Sequence, residues 1–330
     1  MDLTPDLHPD PEPAVSVIMP ILNEERHLRD AVAMILAQDY TGPLEVVLAL
    51  GPSTDRTDEV AEDLAEADAR VRVVANPSGR TPDALNAAIG ASTGEVIVRV
   101  DGHAEIPDDY ISVAVAELLR VGADNVGGVM DARGTSTFER AVACAMRSPL
   151  GVGSARFHTG GEAGDADTVY LGVFRRAALE RVGGYDPHFA RAQDWEMNHR
   201  IRETGGKVWF TPELKVTYRP RASVKALAKQ YFHYGRWRRV VARHHEGTIN
   251  PRYLAPPTMV GVTTVATIAG FVWAPAWLVP AAYAAGVTAG GVAISKGEAP
   301  ATRAVTPLVL ATMHWSWGIG FLTSPGRLKR

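Results

Sequence analysis

The sequence predicts an α/β fold: a mostly parallel sheet flanked by helices, followed by C-terminal membrane helices. Two observations carry that prediction. Short β-branched apolar runs alternate with helix-periodic stretches through the first hundred residues, and such alternation marks βαβ units. Charge is dense up to Arg252 and then nearly vanishes: Ala255 to Ile294 and Ala304 to Pro325 contain no Asp, Glu, Lys or Arg. The 330 residues suffice for one large domain or two medium ones, and 46% hydrophobic with 22% charged residues excludes wholesale disorder.

Met1–Pro13 is acidic and proline-rich, lacks the basic and apolar regions of a secretory signal, and reads as a disordered lead-in. Val15–Met19 is a buried strand ended by Pro20. Asn23-Glu24-Glu25 opens a helix with Leu28, Ala31, Val32, Ile35 and Leu36 at helical spacing. Leu44–Leu50 is the second strand, and Ser53-Thr54-Asp55 caps a helix running through Leu64. Val71–Ala75 is the third strand; Thr81-Pro82 starts a helix over Ala84–Ala91, with proline at the first helical position. Glu95–Val100 is the fourth strand and ends at Asp101. Tyr170, Gly172 and Phe174 fit a further strand, and Gly160–Asp167 reads as an acidic loop, a solvated connector or a lid. Ligands of such sheets sit beyond the C-terminal strand ends.

A membrane span needs about 20 apolar residues, and both uncharged runs are long enough. The alternative is a pair of buried core helices. Arg236, Arg238, Arg239, Arg243 and Arg252 precede the first run, and Arg327, Lys329 and Arg330 follow the second. The positive-inside rule puts both clusters, and the first 250 residues, on the cytoplasmic side. The first run holds one tilted span or a tight hairpin, so residues 255–325 are expected to form two or three segments. Residues 223–250, with Val224, Leu227, Ala228, Tyr231 and Trp237 set among basic residues, read as an amphipathic interfacial helix.

Several classes are excluded or demoted. A net charge of −3 argues against a nucleic-acid partner. The one cysteine, Cys144, rules out a disulfide framework and reads as a small buried hydrophobe, with a reactive thiol as the alternative. No Gly-x-Gly-x-x-Gly or Walker A loop follows any strand. His244-His245-Glu246 looks like a metal cluster, but adjacent helical side chains diverge, and a basic turn explains it better.

The ordered motifs VSVIMPILNEE, STDRT, NPSGRTPDALNAAI, GEVIVRVDGHAEI, GGYDPHFARAQDWEMNHRI and QYFHYGRWRR resemble inverting family 2 glycosyltransferases, in particular membrane-associated exopolysaccharide glucosyltransferases of the succinoglycan type. The resemblance covers roughly residues 14–245. It implies a GT-A fold over residues 14–222 and transfer of a hexose, glucose by likeness, from a nucleotide-diphosphate sugar with inversion. The expected donor is UDP-linked, and the expected acceptor is a lipid-linked saccharide or a polysaccharide at the cell membrane.

By that resemblance Asp101 and His103 stand at the family's Asp-x-Asp, where a divalent cation neutralises the leaving diphosphate. Asp101 suits Mg²⁺ or Mn²⁺, whereas His103 departs from the pattern and favours Mn²⁺. Asp194 matches the family's general base; Gln193 replaces the usual neighbouring acid, and Glu196 is a second candidate base. Asp194 also fits a helix cap. Pro20, Asn23, Glu24, Gly51, Ser53, Asp55 and Arg80 are expected to line the nucleotide-sugar pocket, although Leu50-Gly51-Pro52 stands where relatives place a base-binding Asp. Gln230, Arg236 and Trp237 occupy an altered Gln-x-x-Arg-Trp motif, expected to meet the acceptor or the diphosphate or to dock on the membrane. A sugar nucleotidyltransferase shares the layout but needs a Gly-rich N-terminal loop with basic residues, absent here. A catalytically inert, membrane-attached scaffold is the remaining alternative.

Overall fold

The computed structural model describes residues 12–326. Most of the expected lead-in, and Arg327, Lys329 and Arg330, lie outside the described residues. Glu12 is held in place, its Oε2 accepting from Thr41 Oγ1 at 2.7 Å and the Gly42 amide at 2.9 Å.

In chain order the first elements are β1 (Val15–Ile21), α1 (Leu28–Leu36), β2 (Leu44–Leu50), α2 (Thr57–Ala67), β3 (Val71–Ala75), α3 (Thr81–Ala91), β4 (Val96–Arg99) and α4 (Tyr110–Arg120). Then come β5 (Asn125–Ala132), α5 (Thr137–Met146), α6 (Pro149–Val152), α7 (Arg156–Thr159), β6 (Gly164–Asp165), β7 (Tyr170–Arg175), α8 (Arg176–Val182), α9 (Gln193–Glu203) and β8 (Val208–Tyr218). The C-terminal helices are α10 (Val224–His244), α11 (Pro251–Ala269), α12 (Leu278–Ile294) and α13 (Pro300–Leu322).

The chain forms two units. The first comprises residues up to Gly127 with Leu171–Tyr185 and Arg200–Val208; the second comprises Gly128–Tyr170, Asp186–His199 and the rest from Trp209. In the first unit the strands follow the order β3-β2-β1-β4-β7, with β1–β2, β1–β4 and β2–β3 parallel and β4–β7 antiparallel. The sheet is therefore mixed, with a parallel core of four strands. Val15, Val17, Ile18 and Met19 of β1 are buried on both faces, which explains their unbroken apolar run. Pro20 falls past the last β1–β4 pair, Ile18 with Arg99, so its missing N–H breaks no ladder bond to β4. At the opposite strand ends Glu45 Oε1 accepts from Ser16 Oγ at 2.6 Å and the Thr93 amide at 2.6 Å. Partial burial pushes the Glu45 carboxyl up, but these bonds outweigh it and hold it below the usual range.

In the second unit β5, β8 and β6 are neighbours in that order, β6 and β8 antiparallel. A capping box starts α5: Ser136 Oγ accepts from the Glu139 amide, and Glu139 Oε2 accepts from the Ser136 amide. Ala141, Val142, Ala145 and Met146 of α5, Leu227 and Tyr231 of α10, and Val309, Leu310 and Met313 of α13 share one core cluster.

The second uncharged run falls largely in α13, which is buried along one face against α5 and α10. Leu227 and Tyr231 of α10 pack with α13, and its Trp237, Val240 and Val241 pack with Phe189. Arg239 donates to the Phe321 and Leu322 carbonyls at 2.9 and 2.8 Å, satisfying the end of α13. Among the described residues one run, Ala274–Ile294, is long and apolar enough to cross a membrane, and only 6% of it is buried. Exposed Phe271, Val272 and Trp273 precede it, and exposed Trp277 and Leu278 lie near its start.

Candidate active site

The candidate residues fall into two groups, one in each unit. In the first unit the loops after β1, β2, β3 and β4 carry them. Asn23 adopts a left-handed backbone, φ 57°, which Asn tolerates better than most residues. Its Oδ1 accepts from the Thr54 amide at 2.8 Å, and its own amide donates to Ser53 Oγ at 3.1 Å. The Glu24 amide donates to Thr57 Oγ1 at 2.7 Å. Asp55 Oδ1 accepts from the Thr57 hydroxyl and amide at 2.5 and 3.1 Å. The Thr57 hydroxyl holds the exposed Asp55 carboxyl below the usual carboxylate range. The Gly51 amide donates to the Ile21 carbonyl at 2.8 Å. These bonds clip the Pro20–Glu24 loop to the Gly51–Asp55 loop, giving Asn23, Ser53 and Asp55 local structural partners.

Asp101 lies just past β4. Its Oδ1 accepts from Arg99 Nε at 3.1 Å and Nη2 at 2.9 Å, and Arg99 is 5% exposed. His103 Nδ1 lies 2.8 Å from Glu24 Oε1. A Cβ on Gly102 would come within 2.9 Å of Glu24 Cγ, so glycine makes room for that approach. With Nδ1–H donating to Glu24, Nε2 becomes the lone-pair nitrogen of the neutral ring, and a carboxylate of this kind orients a metal-binding imidazole. Among the described residues no group of three or more His, Cys, Asp or Glu side chains forms a metal cage. A carboxylate and an oriented imidazole fit a divalent cation that takes its remaining ligands from a diphosphate. Arg80 pairs with Asp83, Nη2 to Oδ2 2.6 Å, and thereby braces the start of α3.

In the second unit α9 begins after Ala192, whose φ of 60° is unusual for a residue with a Cβ. Gln193 and Asp194 occupy its first turn, half-buried. Glu196, expected as a second base, is 1% exposed, with Oε1 3.1 Å from His245 Nε2. That contact ties α9 to the end of α10. His199 stacks on Trp195 with centroids 5.2 Å apart and meets His245 edge-on at 4.7 Å. Gln230 is 8% exposed and donates to the Tyr218 and Tyr234 hydroxyls at 2.8 and 3.0 Å. Trp237 is 9% exposed and packs with Phe189, Val240 and Val241. Gln230 and Trp237 are thus built into the unit's interior, while Arg236 is half-buried, its guanidinium 5.1 Å from the Phe232 ring centroid. Cys144 is buried, and burial raises its thiol above the usual range, in keeping with the packing role expected of it. In sequence Arg238 and His245 are legible only as members of a basic cluster and a basic turn; their partners, Trp195 with Tyr253 for Arg238 and Glu196 for His245, come from other segments.

Residues 16–183 match the model of glycosyl transferase family 2. The chain is 32% identical over 308 residues to the succinoglycan biosynthesis protein ExoA of Rhizobium meliloti (strain 1021), covering 92% of this chain and 93% of that protein. It is 25% identical over 251 residues to a dolichyl N-acetyl-alpha-D-glucosaminyl phosphate 3-beta-D-2,3-diacetamido-2,3-dideoxy-beta-D-glucuronosyltransferase of Methanococcus voltae, covering 73% of this chain and 77% of the other. Among solved structures, the mannosyltransferase PcManGT from Pyrobaculum calidifontis, in complex with GDP-Man and Mn²⁺, superposes with a TM-score of 0.58 at 22% identity, covering 92% of this chain and 87% of that one. That likeness concerns the fold.

Proposed function

The chain belongs to glycosyl transferase family 2, and we propose that it transfers a hexose, glucose by its likeness to succinoglycan enzymes, from a UDP-sugar to a lipid-linked or polysaccharide acceptor with inversion. The retention of Asp194 in the first turn of α9 carries this reading. Asp194 takes the proton of an acceptor hydroxyl. The hydroxyl oxygen bonds to the anomeric carbon, the bond from that carbon to the diphosphate breaks, and the nucleoside diphosphate leaves with the electron pair. Asp101 and His103 would hold a divalent cation, Mn²⁺ or Mg²⁺, which when bound neutralises charge developing on the diphosphate. The Mn²⁺ in the Pyrobaculum calidifontis mannosyltransferase supports a cation of this kind.

We place the protein at the cell membrane with its catalytic units on the cytoplasmic side. The nearly unburied run Ala274–Ile294 supports that placement, as do the exposed Trp273 just before it and Trp277 near its start, since tryptophan favours the lipid–water boundary. The test is Asp194→Asn. A transferase loses roughly 10²–10⁴-fold in turnover while still binding the donor; an inert scaffold shows no turnover to lose.

A further inference from the structure

Where α10 meets the start of α11, the second unit holds more positive charge than its own acids neutralise. Arg238 is 7% exposed. Its guanidinium carbon lies 3.9 Å from the Trp195 ring centroid and 4.1 Å from that of Tyr253. Arg252 lies 4.9 Å from the same Tyr253 ring, with Nη2 2.8 Å from the Tyr253 hydroxyl. The ring faces attract both cations but do not neutralise them.

Arginine offers five N–H donors, yet among the described residues Arg238 donates to the Thr248 carbonyl, and its Nε is buried without a partner. Trp195 Nε1 and His158 Nδ1 are likewise buried without partners. Burial lowers Arg238 to about 10, still protonated at neutral pH. Burial, with Arg252 beside it, lowers His158 to about 4, so His158 is neutral there. Asp167 reaches Arg252 at 3.6 Å but is half exposed, with 52% of its side chain in solvent. Among the described residues, Asp167 is thus the acid paired with these two cations, and it is solvated; burying an uncompensated guanidinium is costly.

The surroundings indicate what compensates it. Trp195 directly follows Asp194. Arg252 and Tyr253 open α11, and from there Leu254, Val262, Val265 and Ile268 stand 42%, 52%, 66% and 65% exposed. Their spacing places them along one side of the helix, over about 20 Å at 1.5 Å rise per residue. A phosphate on an alkyl chain matches both features.

We propose that Arg238, Arg252 and Tyr253 bind the phosphate of the acceptor lipid, with its chain laid along Leu254, Val262, Val265 and Ile268. The proposal rests on the lipid-linked acceptor proposed above and assigns its headgroup a site.

The test is calorimetric titration of the full chain in neutral detergent with farnesyl diphosphate as the lipid-diphosphate probe, alongside inorganic pyrophosphate and UDP. The wild type should bind farnesyl diphosphate more tightly than pyrophosphate. Arg252→Gln, whose side chain is 17% exposed, should weaken that binding roughly tenfold, as losing a charge-assisted contact does, and leave UDP binding unchanged. Arg238→Lys, checked for folding by circular dichroism, should weaken it comparably because lysine loses the stack and the fork. Normal farnesyl diphosphate binding by a folded Arg252→Gln chain overturns the proposal. Competition by UDP also overturns it, since the probe then occupies the donor pocket. So does loss of binding to phosphatidylglycerol vesicles in Arg252→Gln with farnesyl diphosphate binding intact, which assigns the site to bulk lipid. The two readings separate: if Asp194→Asn abolishes turnover while Arg252→Gln binds normally, the site falls and the transferase stands. If the wild type binds farnesyl diphosphate but turns over no nucleotide-sugar, the transferase falls and the site stands.

Discussion

Gly235 of α10 faces the backbone of α13. A Cβ there would lie 2.0 Å from the Trp317 carbonyl oxygen and 2.9 Å from the Phe321 nitrogen. Cβ atoms essentially never approach closer than 3.0 Å, so Gly235→Ala forces the two helix backbones to shift apart by at least about 1 Å. Both obstructing atoms are backbone and cannot swing aside. Overpacking of this kind costs about 1–3 kcal/mol or more, while alanine returns at most about 1 kcal/mol of helix propensity. A net loss near 2 kcal/mol lowers the melting temperature by roughly 4–8 °C for a unit of this size. Tryptophan-fluorescence melting in detergent reads it directly. Gly261→Ala in α11 and Gly286→Ala in α12 are the controls, because a Cβ meets nothing within 4 Å at either site; both should melt at or above wild type. If Gly235→Ala melts with the controls, α13 is not packed on α10 as described.

Gly320→Ala, whose Cβ would meet the Phe232 carbonyl oxygen at 2.1 Å, should reproduce the loss in the same melts. Ser136→Ala should cost about 1 kcal/mol through the lost cap of α5. The Ser136 amide, the largest cause, draws Glu139 down to about 2 from 4.5. A depressed carboxyl contributes stability above pH 4.5 that is lost as pH falls toward 2, so Glu139→Gln should flatten acid-melting curves across that window; an unchanged slope contradicts the cap. His103→Asp should raise activity supported by Mg²⁺ relative to Mn²⁺, because oxygen ligands suit the harder ion; an unchanged ratio removes His103 from the cation site.

Much of the first unit was legible. The strands Leu44–Leu50 and Val71–Ala75 appear with the expected bounds, and β1 and β4 differ by a residue or two at their ends. A parallel strand buried on both faces writes its whole length as apolar residues, so little beyond the chain itself is needed to find it. The C-terminal half was harder for a definite reason. The pattern of α10 reveals an apolar face but not what covers it, and the covering helix starts more than fifty residues later. The glycines that permit the crossing, Gly235 and Gly320, look like ordinary helix interruptions in sequence. Gln230 and Trp237 drew attention through a motif, yet their environments, two tyrosine hydroxyls and the Phe189 cluster, come from distant segments. Glu196, two residues after Asp194, suggested a second base. On a helix, residues two apart face different directions, and the second carboxylate turns toward His245.

Calorimetric titration of the detergent-solubilised chain with UDP, GDP and dTDP, each with and without Mn²⁺, tests the proposed donor chemistry most directly. Leu50-Gly51-Pro52 supplies no carboxylate for the base, so nucleotide recognition is where the proposed transferase is most exposed to failure. Mn²⁺-dependent binding of UDP, lost in Asp101→Asn, is the predicted result. Failure of folded protein to bind any of the three nucleotides would contradict it and favour an inert membrane-attached scaffold.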